Sequence, residues 1–241
     1  MKKQDAFGQQ LLAQYKDRSV PEIVERNDGF ISVGRFGQIY FTDYAQWSKP
    51  EKQALKLVKG KVLDIGSGAG RHVLYLQNKG FDVLAMDSSA GALKVCKLRG
   101  IKKTKLLPIE KVNQLKPQKF DTVLMLGNNF GLFSSFNKAK IILKKLHQVT
   151  SKHSQIIAET SNPYVTDNPV HLNYHRRNKK MGRMIGQIKL RIRFQNLIGT
   201  WFDYLLVSQP ELKKILKDTG WKLKKIIKTK GQNYFVVINK G

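Results

Sequence analysis

The sequence predicts an α/β fold, a seven-stranded, mostly parallel sheet with helices on both faces and an antiparallel hairpin at its C-terminal end. Three observations predict it. From residue 61 onward, short apolar runs alternate with amphipathic stretches, the pattern of strands covered on both faces by helices. In the first of these units, VLDIGSGAGRH, a strand runs into a turn carrying Gly66, Gly68 and Gly70 and then into a helix. At the far end, two apolar runs over 221–228 and 232–239 flank Lys230 and Gly231 and form a hairpin.

Taken in order, residues 1–16 set Ala6, Phe7, Leu11, Leu12 and Tyr15 at helical spacing, an amphipathic helix expected to cover part of a site or to pack on a sheet edge. Asn27, Asp28 and Gly29 make a turn, and FISVGRFGQIYF continues in short extended pieces, so that 1–45 form a helix and an extended cap. Tyr40, Tyr44 and Trp47 precede a helix that Pro50 can start and Gly60 can end. Strands follow at 61–65, 81–86, 104–107, 120–126 and 154–159, with helices at 71–79, 89–98 and 137–149. Gly80 and Gly100 stand where helices end. Residues 108–119 lack the length for a full helix and are expected to be a loop with one turn. The segment 171–207 interrupts the alternation with a short basic helix, HLNYHRRNKKMGRM, and then GQIKLRIRFQ. In the latter, Ile188, Leu190, Ile192 and Phe194 alternate with Gln187, Lys189, Arg191 and Arg193, giving a half-buried strand whose cationic side faces solvent. TWFDYLLVS is its antiparallel partner, and helix 209–219 leads to the closing hairpin. The organisation expected is a single domain over 1–241 with 171–207 inserted as a helix-hairpin lid.

A chain of 241 residues is long enough for one large α/β core. The single Cys96 excludes a disulfide framework and a Cys-rich zinc site, and no metal is expected. No apolar run has the length of a membrane span, and MKKQDAFGQQ lacks the apolar core of a signal peptide, so the expectation is a cytoplasmic protein with no membrane partner. Net charge is the extreme quantity, +27 from 44 basic and 17 acidic residues, and it keeps nucleic acid open as a partner. Yet only ten of the basic residues are arginines, and the lysines are spread over nearly every segment, as solvated faces are.

The glycine spacing decides what the first turn can bind. Dinucleotide turns follow GxGxxG, whereas here the glycines alternate as GxGxG and are followed by Arg71 and His72, which argues against NAD and FAD. Asp87 ends the next apolar run, FDVLAMD, where a carboxylate can accept both ribose hydroxyl protons. Together Asp64, Gly66, Gly68, Gly70 and Asp87 resemble the class I S-adenosylmethionine-dependent methyltransferases, over roughly 45–160; from Glu159 to Trp221 the chain also resembles a bacterial and archaeal branch of that family. The resemblance implies a Rossmann-like fold and S-adenosyl-L-methionine as cofactor. It implies that Asp64 helps hold the methionine end, that the turn with Ser67 lies against it, and that Asp87, beside Ser88, takes the ribose. It further implies that the loop starting at Pro108, Ile109 and Glu110 covers the adenine, although Leu106 and Leu107 depart from the acidic and small residues often found before this point. Aromatics such as Tyr40 are implied in the cofactor pocket, where a ring face stabilises a sulfonium by roughly 0.5–2 kcal/mol.

FDTVLMLGNNFGLF ends an apolar strand in Gly127, Asn128 and Asn129, at the carboxyl edge where open α/β folds bind ligands. An asparagine both donates and accepts, so one of the pair can hold the cofactor, taken as Asn128, and the other the substrate. The stretch lacks the two prolines of enzymes that resemble nucleobase amine methyltransferases, and no cysteine lies near it for methylation of a pyrimidine carbon. The expected reaction is an in-line methyl transfer to oxygen or nitrogen of a small-molecule acceptor. Candidates for orienting or deprotonating the acceptor are Tyr40, Tyr44, Asn129, His171, Tyr174, His175 and Asp203. Two alternatives stand beside it. One is an RNA methyltransferase gripping phosphate with Arg176, Arg177, Lys179, Lys180, Arg183, Arg191 and Arg193, and the other is a non-catalytic protein that binds the cofactor.

Overall fold

The computed structural model describes residues 5–34 and 36–241. Among them, β3 (Val62–Ile65), β4 (Val83–Asp87), β5 (Thr104–Leu106), β6 (Phe120–Met125), β7 (Thr150–Ser161), β11 (Trp221–Lys228) and β12 (Asn233–Lys240) form a seven-stranded sheet in the order β11-β12-β7-β6-β3-β4-β5. Pairing is parallel for β4 with β5 and for β6 with β7, and antiparallel where β12 meets β7 and β11. The alternation of apolar runs and helices therefore marks a mostly parallel sheet closed by the expected hairpin. A second sheet has the order β10-β8-β1-β2, from β1 (Glu22–Arg26), β2 (Ile31–Gly34), β8 (Gln187–Phe194) and β10 (Phe202–Leu205), with the short β9 (Leu197–Ile198) paired to β8. Contacts divide the chain into two compact units, Met1–Trp47 with Leu63–Pro108 and Lys189–Phe202, and Ser48–Val62 with Ile109–Ile188 and Asp203–Gly241.

In the first unit, α1 (Ala6–Lys16) lies along α4 (Ala90–Leu98). Their approach requires glycine on both sides, because a Cβ on Gly91 would stand 2.6 Å from the backbone of Gly8. Leu11, Ala69, Ala92 and Val95 form the buried cluster there, with Phe7, Leu12, Tyr15, Tyr40 and Phe41 packed against it. The N-cap Asp5 joins the two helices, its carboxylate accepting from Gly8 N–H (2.9 Å), Ser89 Oγ–H (2.9 Å) and Gly91 N–H (2.9 Å). One addition and one correction belong to the segment before the main sheet. Residues 22–26 form a strand that local pattern does not announce, since Glu22, Glu25 and Arg26 are buried in it; and the extended pieces after Gly29 give way to a 3-10 turn over Phe36–Phe41. The cationic side of β8 is corrected as well. Its register sets Arg191 opposite Glu25, and both Arg191 (2.8 Å) and Arg193 donate to that carboxylate instead of facing water alone. The Arg191 guanidinium also lies 4.3 Å from the Trp201 ring centroid.

The second unit is built on β6, β7 and β12 with α5 (Phe136–Gln148) and α7 (Gln209–Leu216). Phe120, Phe130, Phe133, Ile142, Leu143, Ile156, Ile157, Val236 and Ile238 fill its core. Ser135 caps α5, and Ser208 with Glu211 forms a capping box on α7, both readable as start signals. Trp221 is buried with its indole N–H on the Leu143 carbonyl (2.9 Å). Residues 108–119 contain a 3-10 stretch, Ile109–Leu115, in place of a loop with one turn. The basic helix of the inserted segment is α6 (Pro169–Lys180), capped by Asn168 and buried only through Tyr174 and Asn178.

Candidate active site

At the carboxyl end of β3 the three glycines have different tasks. All three have positive φ (72°, 54° and 73° at Gly66, Gly68 and Gly70), a region costly for residues with a Cβ. At Gly70 the space is closed as well, since a Cβ would meet Ile101 at 2.1 Å and Cys96 Sγ at 3.0 Å. At Gly68 it would meet the ring of Tyr40 at 3.4 Å, so the neighbour in that direction is an aromatic side chain of the protein and not open ligand volume. The turn is fastened to β4 by Gly66 N–H donating to the Met86 carbonyl (2.8 Å) and to Asp87 by Gly68 N–H (3.0 Å). Asp87 accepts from Ser89 N–H (2.9 Å) through its other oxygen. One acceptor direction on each oxygen thus goes to the backbone.

Both strand-end carboxylates are buried, and their acidity shows it. Burial, then the charge of Asp87, pushes the Asp64 carboxyl up to about 7, with Arg71 opposing. Burial pushes Asp87 up to about 6 against the Ser89 and Gly68 N–H groups that favour its charged form, and Asp5 adds to the rise. Two buried carboxylates, incompletely compensated, thus stand together beside a left-handed glycine turn.

Two residues that sequence reasoning did not select meet this turn, and a third stands behind Tyr40. Cys96 lies 28 positions from Gly68, yet its thiol donates to the Gly68 carbonyl (3.2 Å), and burial pushes it up to about 12, which makes it inert packing. Arg99 donates to the carbonyls of Ala69 (2.6 Å) and Tyr40 (3.3 Å), tying the 3-10 turn to the glycine turn. Its place before Gly100 looks like an ordinary cation at a helix C-terminus. Glu22 is buried and accepts from the Tyr40 hydroxyl (3.3 Å), and burial raises its carboxyl above the usual range. In sequence it is one acid in a short polar-apolar run.

The other aromatics named from sequence pack against residues 71–78. Tyr44 stacks flat on Tyr75 with centroids 4.6 Å apart, and Trp47 is buried edge-on to His72 with its indole N–H on Thr42. Ser67 belongs to the same turn, and Ser88 is exposed after Asp87.

Ile109, Asn128, Asn129, His171, Tyr174, His175 and Asp203 belong to the second unit. Ile109 is buried at the start of its 3-10 stretch. Asn128 has φ 63°, and its backbone is held on both sides: its N–H donates to Glu159 (3.3 Å) and its carbonyl accepts from the Tyr204 hydroxyl (2.6 Å). Glu159 also accepts from Gly127 N–H (2.8 Å) and the Asn233 amide (3.1 Å), and burial raises its carboxyl. Asn129 follows, opening the 3-10 turn Asn129–Phe133. His171 and His175 stand one turn apart on α6, Tyr174 is buried, and Asp203 faces Lys138 at 3.8 Å. Among the described residues no group of three or more His, Cys, Asp or Glu is placed to hold a metal, and no helix is long and apolar enough to cross a membrane.

Residues 63–158 match a family model described as a methyltransferase domain. Of solved structures, a S-adenosylmethionine-dependent methyltransferase from Bacteroides fragilis in complex with S-adenosyl-L-homocysteine superposes with TM-score 0.81 at 24% identity, covering 97% of this chain and 94% of that one. The CcbJ methyltransferase from Streptomyces caelestis gives TM-score 0.59 at 15% identity over 82% and 94% of the two chains. For the Burkholderia thailandensis 1,6-didemethyltoxoflavin-N1-methyltransferase the values are 0.51, 16%, 80% and 78%. No curated protein sequence matches the chain significantly. Residues 63–158 are therefore similar to a methyltransferase domain, and the fold is the one that the Bacteroides fragilis enzyme shares over 97% of this chain.

Proposed function

We propose that the protein is a methyltransferase that uses S-adenosyl-L-methionine to methylate an oxygen or nitrogen of a small-molecule acceptor. The observation that carries the reading is the pair of buried carboxylates, Asp64 and Asp87, around the left-handed turn at Gly66–Gly70. These residues fit the cofactor. Asp87 has acceptor capacity left on each oxygen for ribose hydroxyls, and Asp64 provides negative charge for the cationic methionine end. When bound, S-adenosyl-L-methionine supplies a methyl group already activated on a sulfonium. What the chain must do is orient the acceptor in line, about 3–3.5 Å from that methyl carbon, and take up one proton. Ser67 lies in the turn and Ser88 follows Asp87; Ile109 and Asn128, in the second unit, are the further residues we assign to the cofactor, to its base and to its polar groups. Among Tyr40, Tyr44, Asn129, His171, Tyr174, His175 and Asp203, the imidazoles are chemically suited to take a proton at neutral pH. The segment 171–207 serves as the acceptor lid.

A small acceptor is supported by the Burkholderia enzyme, which holds 1,6-didemethyltoxoflavin together with S-adenosylhomocysteine. An RNA acceptor is favoured by one observation: Arg176, Arg177, Lys179, Lys180 and Arg183 are exposed along α6 and the turn after it, with no acidic partner among the described residues. Turnover of methyl-labelled cofactor with fractionated small metabolites and with bulk RNA tests the two. Label in the metabolite fraction is expected; label in RNA reverses the acceptor, and no turnover with either, in a protein that binds the cofactor, leaves the non-catalytic reading.

A further inference from the structure

Tyr40 is positioned over the glycine turn by two anchors. Arg99 grips its carbonyl together with that of Ala69. Glu22, from β1, accepts its hydroxyl proton. The ring in turn stands 3.4 Å from where a Cβ of Gly68 would be, so the phenol, the acid behind it and the turn form one assembly within the first unit. Glu22 is an unusual member of it. The residue is only 5% exposed, and among the described residues no cation pairs with it, in a chain carrying 44 Lys and Arg. Buried carboxylates are ordinarily matched by a charge, because desolvation of an unmatched one is costly. A phenol donating to a carboxylate carries extra electron density on its oxygen, and both act in a low-dielectric setting where charges interact strongly.

We propose that Glu22, acting through Tyr40, is a specificity-determining residue of the cofactor site, which favours the cationic cofactor over its uncharged-sulfur product. The inference rests on the reading of the glycine turn as the S-adenosylmethionine site. S-adenosylmethionine carries one positive charge more than S-adenosylhomocysteine, on the sulfonium, while the two share the adenosine, the ammonium and the carboxylate. Negative potential delivered by Glu22 and Tyr40 therefore acts on the difference between them, whereas Asp87 acts on the ribose both possess. The effect is to bind substrate against accumulated product.

Calorimetric titration of wild type, Glu22→Gln, Tyr40→Phe and the double variant with both ligands tests this, with thermal unfolding as a control for folding. Glu22→Gln is expected to weaken S-adenosylmethionine about tenfold and S-adenosylhomocysteine less than twofold, Tyr40→Phe to do the same, and the double variant to add little, because the two residues act as a pair. Glu22→Asp, which keeps the charge, is expected to restore most of the preference. Equal loss of both ligands, or unchanged affinity for both in a folded Glu22→Gln protein, overturns the proposal. Wild-type protein that binds neither ligand overturns instead the cofactor reading on which it stands.

Discussion

At the scale of single residues, the buried acids make testable demands. If Asp87 takes the ribose as proposed, Asp87→Ala removes a charged acceptor and is expected to weaken the cofactor by about 1.5–3 kcal/mol, roughly 10- to 150-fold by calorimetry. Because Asp87 also receives Gly68 N–H and Ser89 N–H, the variant should lose some thermal stability as well. Asp64 makes a prediction about pH. Its folded carboxyl sits at about 7, above the ordinary value of 3.8, so the folded state holds a proton that the unfolded chain has already released between those values. Stability of the ligand-free protein is therefore complete below pH 4 for this group and falls as pH climbs to 7, by about 1.4 kcal/mol per unit of pKa elevation. Denaturant midpoints measured from pH 5 to 7.5 should decline, and Asp64→Asn should flatten the decline. The glycines separate in the same way. Gly70→Ala forces a left-handed alanine against Ile101 and is expected to cost upwards of about 2 kcal/mol of stability. Gly68→Ala meets only the edge of Tyr40 and should cost less stability. A GxGxG string alone ranks these glycines equally; only the packing around them tells them apart.

At the scale of elements, helices and main-sheet strands were legible because their signals are local. Ser89, Ser135 and Ser208 each cap a helix, and continuous apolar runs mark β3, β4 and β6. The second sheet was not legible in the same degree. β1 carries buried Glu22, Glu25 and Arg26, each matched by a group from elsewhere in the chain or, for Arg26, by Asp28 in the adjoining turn, so its composition reads as surface. That pairing changes what the β8 arginines should do. Reversing Arg191 and Arg193 to glutamate sets three carboxylates together at Glu25, so the expected result is a lowered melting temperature and early proteolytic cleavage of β8. A doubly reversed protein that melts like wild type would show the ion pairs to be dispensable. A parallel test applies to α1. Gly91→Leu drives a side chain into the Gly8 backbone and should release α1 to limited proteolysis while the main sheet stays protected.

For the molecule as a whole, charge is the dominant variable. An excess of 27 positive charges repels itself in the compact state, and added salt screens that repulsion over about 8–10 Å. The melting temperature is expected to rise between 20 and about 300 mM sodium chloride, the reverse of a protein held by surface ion pairs.

What the sequence by itself determined is the main sheet, the glycine turn between β3 and α3 (Arg71–Asn78), and the acid ending β4. All of these are set by residues within a few positions of one another, where backbone sterics and hydrophobic period act directly. The tertiary structure alone decided which side chains surround that turn. Cys96 and Arg99 reach it from α4 and its C-terminal end, and Glu22, from β1, stands behind Tyr40, the one neighbour that the sequence had offered. Such contacts depend on how β1, the 3-10 turn and α4 pack, and packing energy is spread over many weak contacts that leave no spacing rule in one sequence.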